Sequence, residues 1–282
     1  MRLSGRATIL LRLAVTVGLA FIYIPLLILA IYAFNASKIL EWPPPGLTLE
    51  WFPQAFESTA PDAFWTSIKV ALVATAIALV LGTLASLAVA RHRFFGRETI
   101  SFLVILPIAL PGIVTGVALN NTFTQVFGID LSLFTVIVAH ATFCIVVVYN
   151  NVIARLRRMS ASFEEASADL GASPWQTFRY VTLPNMRSAL GAGGLLAFGL
   201  SFDEIIVTTF TIGAGEETLP IWIYRNLFRP NQLPIVDAVA VIVILISIVP
   251  VYLAHRLSRE EGGVTGGKGG GATVEAKATA VP

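Results

Sequence analysis

Six stretches of the chain are apolar over most of their length: 13–34, 70–90, 100–119, 131–153, 188–211 and 235–254. A helix needs about 20 predominantly apolar residues to cross the hydrocarbon of a bilayer, and each stretch comes close to that length. Backbone groups in hydrocarbon must be satisfied within their own segment, so each stretch reads as a helix rather than an open strand. The pattern predicts an all-α integral membrane protein with six transmembrane helices. The first stretch follows Arg2, Arg6 and Arg12 and is too long for the apolar core of a cleaved leader, so it reads as an uncleaved first span. The third contains Pro107, Pro111, Gly112 and Gly116. It is expected to kink, either lining a pathway or serving as a packing device.

A polar elbow, 154–186, separates the fourth and fifth stretches. Ser162 followed by Glu165 fits a capping box that starts a short helix, and Gly171 suits its left-handed end. Ser173 then caps a second helix, with Pro174 at its first position and Gln176 completing another box. That helix is expected to run toward Leu183, with Pro184 marking its end or a kink into the fifth span. Asp169 and Arg179 keep the element wet, while Phe163, Leu170, Trp175 and Phe178 give it apolar faces. A capped, structured elbow of this kind is suited to docking a partner.

Composition strengthens the membrane reading. The chain is 56% hydrophobic and 13% charged, against about 25% charged residues in soluble domains. With the N-terminus inside, the inner segments hold 15 of the 19 Lys and Arg residues. The outer side keeps Lys38, Arg225 and Arg229, with Lys69 at the end of the second span. Positive charge is retained on the cytoplasmic side, which predicts that both termini are cytoplasmic. The organisation is then 1–12 as a cytoplasmic N-terminus, 13–257 as the transmembrane domain, and 258–282 as a flexible cytoplasmic tail rich in glycine. The outer loop 35–66 is rich in proline and aromatic residues, part of it expected along the membrane surface. The single cysteine, Cys144, excludes an internal disulfide framework and reads as apolar filler. No phosphate-binding Gly-x-x-x-x-Gly-Lys-Ser/Thr loop is present, so the chain itself is not expected to hydrolyse ATP.

Asp203 and Glu204 lie within the fifth apolar stretch. Counted from Arg187 at about 1.5 Å per helical residue, Asp203 sits about 24 Å along, in the outer half of the bilayer. A carboxylate there is costly and faces a cavity or a partner. Two readings stand: a cation path or gate, or a pair hydrogen-bonded to a broken helix end or a partner subunit. The outer loops carry seven acids (Glu41, Glu50, Glu57, Asp62, Asp130, Glu216, Glu217) against three basic residues, a field that favours a cationic solute or a basic partner surface. His140 reads as a helix–helix hydrogen bond more readily than as a path residue. Asn120, Asn121, Asn150 and Asn151 read as boundary residues near helix ends.

The spacing in the elbow resembles a known pattern. Glu165-Ala166-Ser167, three residues, Gly171, nine residues, Val181, one residue, then Leu183-Pro184 is similar to the EAA motif of ABC-importer permease subunits. Ser167 replaces the family's second alanine and Val181 its isoleucine. The resemblance implies a type I importer permease fold with the elbow as a coupling helix against an ATPase subunit. Glu165, Ala166, Gly171, Leu183 and Pro184 are the residues it carries over. It also implies two ATPase subunits that hold ATP and Mg, a second permease of different sequence, a periplasmic solute-binding protein, membrane lipids and no nucleic acid as partners, all at the bacterial inner membrane. Leu200-Ser201-Phe202-Asp203-Glu204, then Gly213, Thr218-Leu219-Pro220, Trp222 and Asn226-Leu227-Phe228-Arg229-Pro230, resemble the spermidine/putrescine branch. That branch implies a polyamine or related amino compound as solute, with Asp203 and Glu204 as candidate path residues. A self-sufficient secondary transporter or channel is the alternative. An intramembrane enzyme would need a motif such as His-Glu-x-x-His or Gly-x-Ser-x-Gly, which the sequence lacks.

Overall fold

The computed structural model describes residues 4–39, 41–229 and 231–264. Its elements in chain order are α1 (Gly5–Ala33), α2 (Trp51–Glu57), α3 (Ala60–Arg91), α4 (Arg97–Ala109), α5 (Gly112–Asn121), α6 (Leu133–Arg158), α7 (Ser162–Asp169), α8 (Pro174–Thr177), α9 (Leu183–Phe202), α10 (Ile206–Thr211), α11 (Leu219–Leu227) and α12 (Leu233–Val264). Wider π turns follow α5, at Thr122–Val126, and α8, at Phe178–Thr182. Among the described residues the β content is one isolated bridge, Asn35 to Leu47. The all-α expectation therefore holds.

Among the described residues three helices, α1, α3 and α6, are long and apolar enough to cross a membrane, which makes the chain a multi-pass membrane protein. The third and fifth expected spans are interrupted, while the sixth lies within the single helix α12. The third divides at Leu110, whose backbone is extended, just before Pro111. A residue that precedes proline is pushed out of the helical region, and this one yields two half-helices, α4 and α5. The fifth divides at 203–205 into α9 and α10. The second starts ten residues earlier than its apolar run, with Pro61 in its first turn, so the outer loop is shorter than 35–66. The fourth runs on to Arg158, which places Asn150 and Asn151 inside α6 rather than at its boundary. Asn151 donates instead to the carbonyl of Val147 at 2.9 Å.

The core is a three-helix contact of α3, α6 and α9 built on small residues. Ala71, Ala74 and Ala78 of α3, Ala139 of α6 and Ala197 of α9 are fully buried. Around them pack Phe143, Cys144, Val148, Val152, Leu156, Met186 and Val207. Cys144 is filler as expected, its thiol directed at the Ala197 carbonyl at 3.4 Å. Small residues let backbones approach closely where no water is available to drive association. A Cβ on Gly82 would stand 3.0 Å from the Ile145 carbonyl oxygen and from Val148, and Ser86 donates to the Tyr149 carbonyl at 3.1 Å beside it. Replacing Gly82 by leucine should therefore destabilise the protein by about 1–3 kcal/mol through overpacking. A lowered melting midpoint of the detergent-purified protein would report it, and an unchanged midpoint would contradict the contact.

The chain forms two compact units, Met1–Val241 and Ile242–Pro282. The second is helical as far as Val264, so residues 258–264 are helix rather than flexible tail. The remainder of the glycine-rich tail lies outside the described residues.

Candidate functional site

The elbow is built largely from local signals. Gly171 takes φ +80°, the left-handed conformation that costs an L side chain energy and glycine none. Its N–H bonds the Ala168 carbonyl at 2.9 Å and that of Ala172 bonds the Ser167 carbonyl at 3.1 Å. These two bonds close α7 in a Schellman motif. The second capping box is present as expected: the Ser173 N–H bonds Gln176 Oε1 at 2.8 Å, and the Gln176 N–H bonds Ser173 Oγ at 3.4 Å.

One expectation fails here. Ser162 does not cap α7; Ala161 precedes the helix with a helical backbone and no side-chain cap. The Ser162 hydroxyl pairs instead with Ser160 Oγ at 2.7 Å, and the Ser162 N–H bonds the same oxygen. Pro184 lies just past the junction at which the π turn gives way to α9, so it marks the end of one helical stretch and the entry to the next. The chain passes from the single turn α8 through the π turn Phe178–Thr182 directly into α9, where Pro184 occupies the first turn.

Glu165, Ala166, Gly171 and Pro184 are exposed and Leu183 is half-buried. Phe163, Leu170, Trp175 and Tyr180 are large apolar residues left uncovered on the same elbow. The anchor is a residue that the sequence did not single out. Glu164 approaches Arg91, at the end of α3, to 2.9 Å as an ion pair without good hydrogen-bond alignment. It also accepts from Thr182 Oγ1 at 3.0 Å. The elbow is thereby tied to α3 and to the start of α9. No sequence signal marks this contact, since Arg91 and Glu164 belong to separate helices far apart in the chain.

At the other end of α9 the helix stops at Phe202, and Asp203 forms its C-cap. Glu204 turns its carboxylate onto the next helix, Oε1 accepting from the Val207 N–H at 2.9 Å. The pair thus frames a broken helix end. Asp203 is exposed and Glu204 half-buried. Both line an open cleft of about 440 Å³ with Leu195, Leu196, Gly199 and Leu200.

The short helix α10 is held from several sides. Gly112 and Gly116 of α5 leave room for Ile206 and Phe210, and a Cβ at Gly116 would meet the Phe210 ring at 2.7 Å. Asn120 donates to the Phe210 carbonyl at 2.6 Å, and Thr135 Oγ1 donates to that of Thr211 at 2.7 Å. Asn120 is therefore an inter-helix bond as well as a boundary residue. Beyond the break at Leu110, α5 packs against α10. His140 makes the helix–helix contacts expected of it, with Nδ1 2.8 Å from Ser201 Oγ and Nε2 2.9 Å from Thr208 Oγ1. A serine beside a histidine suits nucleophilic catalysis only where substrate can reach it, and here His140 is fully buried and Ser201 nearly so.

The two groups of candidate residues are therefore not brought together. They occupy opposite ends of α9, a helix of 20 residues and so about 30 Å long. One end is the polar elbow. The other is an acidic break opening on an apolar cleft.

The family described as the binding-protein-dependent transport system inner membrane component matches residues 78–260. The chain is 32% identical over 255 residues to the putrescine transport system permease protein PotI of Escherichia coli, covering 86% of this chain and 90% of that one. It is 33% identical over 243 residues to the spermidine/putrescine transport system permease protein PotC of Haemophilus influenzae, with coverage of 86% and 93%. A putative 2-aminoethylphosphonate transport system permease protein, PhnV of Salmonella paratyphi A, is 29% identical over 245 residues, with coverage of 86% and 89%. The fold is similar to that of a bacterial ABC transporter involved in import of the acidic polysaccharide alginate, with a TM-score of 0.64 at 17% identity over 92% of this chain and 99% of that one. The chain belongs to the family of binding-protein-dependent transport system inner membrane components, the permease subunits of ABC importers, on the branch of the spermidine/putrescine permeases.

Proposed function

We propose that this chain is one of two membrane subunits of an ATP-driven importer in the bacterial inner membrane, moving a polyamine or a related small amino compound delivered by a periplasmic binding protein. The observation that carries the reading is the acidic break at Asp203 and Glu204, opening on a leucine-walled cleft, in a chain whose curated relatives are named for putrescine and spermidine transport. A polyamine is an alkyl chain bearing ammonium groups. Leu195, Leu196 and Leu200 offer the chain an apolar wall, and the carboxylates offer the ammonium an opposite charge.

In this reading residues 13–257 form six spans with both termini cytoplasmic, and 154–186 is the coupling loop. Glu165, Ala166, Gly171, Leu183 and Pro184 meet and transmit the movement of an ATPase subunit, one of two that hold ATP and Mg. The exposed aromatic face of the elbow supports such docking. Displacement of the elbow passes to α3 through Arg91 and Glu164, and to α9 through the π turn. At the far end of α9 it alters the acidic break. Of α1 only Ala33 is buried, which leaves that helix to lipid and to a second permease of different sequence.

The test is uptake of labelled putrescine by the whole transporter reconstituted in proteoliposomes with its binding protein. Uptake should require ATP and saturate, and excess spermidine should compete where 2-aminoethylphosphonate does not. Uptake that persists without ATP would point to a secondary transporter. Competition by the phosphonate alone would overturn the polyamine assignment.

A further inference from the structure

The hydroxyls that His140 meets stand on opposite sides of the break, Ser201 in the last turn of α9 and Thr208 in the first turn of α10. The direction of these bonds follows from counting protons. Thr208 has a single hydroxyl proton and gives it to the Glu204 carbonyl oxygen at 2.7 Å. Toward His140 it can only accept, so Nε2 carries the ring proton. Nδ1 is then the acceptor and takes the proton of Ser201 Oγ. The result is one directed chain, from the Ser201 hydroxyl to Nδ1, from Nε2–H to Thr208, and from the Thr208 hydroxyl to the backbone of Glu204. Every donor in it is used once.

The chain ends on the residue whose carboxylate caps α10 and lines the cleft. His140 is fully buried on α6, a helix packed along α9, and its ring lies 5.3 Å from that of Phe143. It is placed as a brace from a rigid helix across a gap in an irregular one. Besides it, the C-terminal end of α9 and the N-terminal end of α10 are held by the three residues 203–205, by contacts of α9 with Phe64 and Cys144, and by contacts of α10 with Asn120 and Thr135.

We propose that His140 is a positioning residue of the transport path: through Ser201 and Thr208 it fixes the geometry in which the break presents Asp203 and Glu204 to the cleft. The functional weight of this rests on the reading of that break as a solute contact, but the bracing itself can be measured separately. A role in packing alone would be met by any ring of similar volume. A bracing role requires the hydrogen bonds.

The experiment uses the whole reconstituted transporter with Cys144→Ser, which removes the chain's single cysteine, and Asp203→Cys as the reporter. The rate at which a water-soluble methanethiosulfonate modifies this chain is followed by mass. With His140→Phe the rate should change by about fivefold or more, whereas His140→Gln, which keeps an N–H near the Nε2 position, should stay within about twofold. Thr208→Val should reproduce the Phe effect and Thr208→Ser should not. The combination of His140→Phe with Thr208→Val should add little to either, as for two cuts in one link. Should His140→Phe fail to assemble, the Val and Ser pair at Thr208 carries the test. A rate unmoved by Thr208→Val, or effects that multiply in the double variant, would overturn the brace. Protection of a second reporter, Gly199→Cys, which lines the same cleft with open space around its Cβ and keeps both carboxylates, by binding protein loaded with putrescine tests the solute reading on its own. Lost protection with the brace effect intact removes that reading alone, and protection without the brace effect removes the brace alone.

Discussion

Gly171→Val should leave the protein in the membrane and lower solute uptake per ATP hydrolysed by about five- to thirtyfold. The side chain would meet nothing, because no atom lies within 4 Å of where its Cβ would stand. The cost comes from the backbone alone. At φ +80° an L residue loses roughly 1–2 kcal/mol, and that shifts the balance between the closed and the opened elbow by a factor of about 5–30. The two Schellman bonds at Ala168 and Ser167 would be lost in the opened form. Asparagine enters the left-handed region more readily than a β-branched residue, so Gly171→Asn should keep most of the coupling. Glu165→Lys should uncouple by another route. Glu165 is exposed in the first turn of α7 beside Glu164, where acidic residues suit the positive end of a helix. Reversing its charge alters the docking face with little effect on the fold. ATPase rate and uptake measured in the same proteoliposomes separate coupling from assembly, and normal uptake in both Gly171→Val and Glu165→Lys would remove the elbow from the coupling role.

The contrast between Gly171 and Ser162 shows what the sequence could carry. Gly171, Ser173, Pro174 and Gln176 act on backbone groups within three residues of themselves, so their roles were legible from spacing. Ser162 has the same spacing to Glu165, but a second serine two residues earlier competes for its hydroxyl and its N–H. A pattern that names one serine cannot weigh the other. The break before Pro111 was legible as a kink because proline restricts the residue before it. The break at 203–205 contains neither glycine nor proline, and it was legible only as one of two readings of Asp203 and Glu204. Its two carboxylates were the only hint. The contacts that hold it, from His140, Asn120 and Thr135, come from other helices. So does the ion pair from Arg91 to Glu164. Contacts of this kind depend on which helices become neighbours, which no local pattern records.

Asp203→Asn should raise the KM for putrescine by at least about fivefold while the amount of assembled transporter stays constant. Asp203 is exposed at the C-cap of α9 and lines the cleft, so asparagine keeps the size and most of the hydrogen-bonding capacity and removes only the charge. Opposite charges about 4 Å apart gain about 1 kcal/mol in bulk water and about 4 kcal/mol near a protein surface. The aqueous limit sets the fivefold floor, since every 1.4 kcal/mol is tenfold. Glu204 permits a sharper separation because it has two tasks. Its carboxylate lines the cleft, and its Oε1 also accepts from the Val207 N–H. Glu204→Gln removes the charge and keeps an acceptor for that N–H, while Glu204→Ala removes both, with a further loss of about 1 kcal/mol at the cap. If the break binds a cation, Gln and Ala should raise KM together and differ in thermal stability. If it is only a capped helix end, Gln should transport as the parent does, Ala alone should suffer, and Asp203→Asn should be silent. The three variants together therefore assign the two carboxylates either to the solute or to the fold.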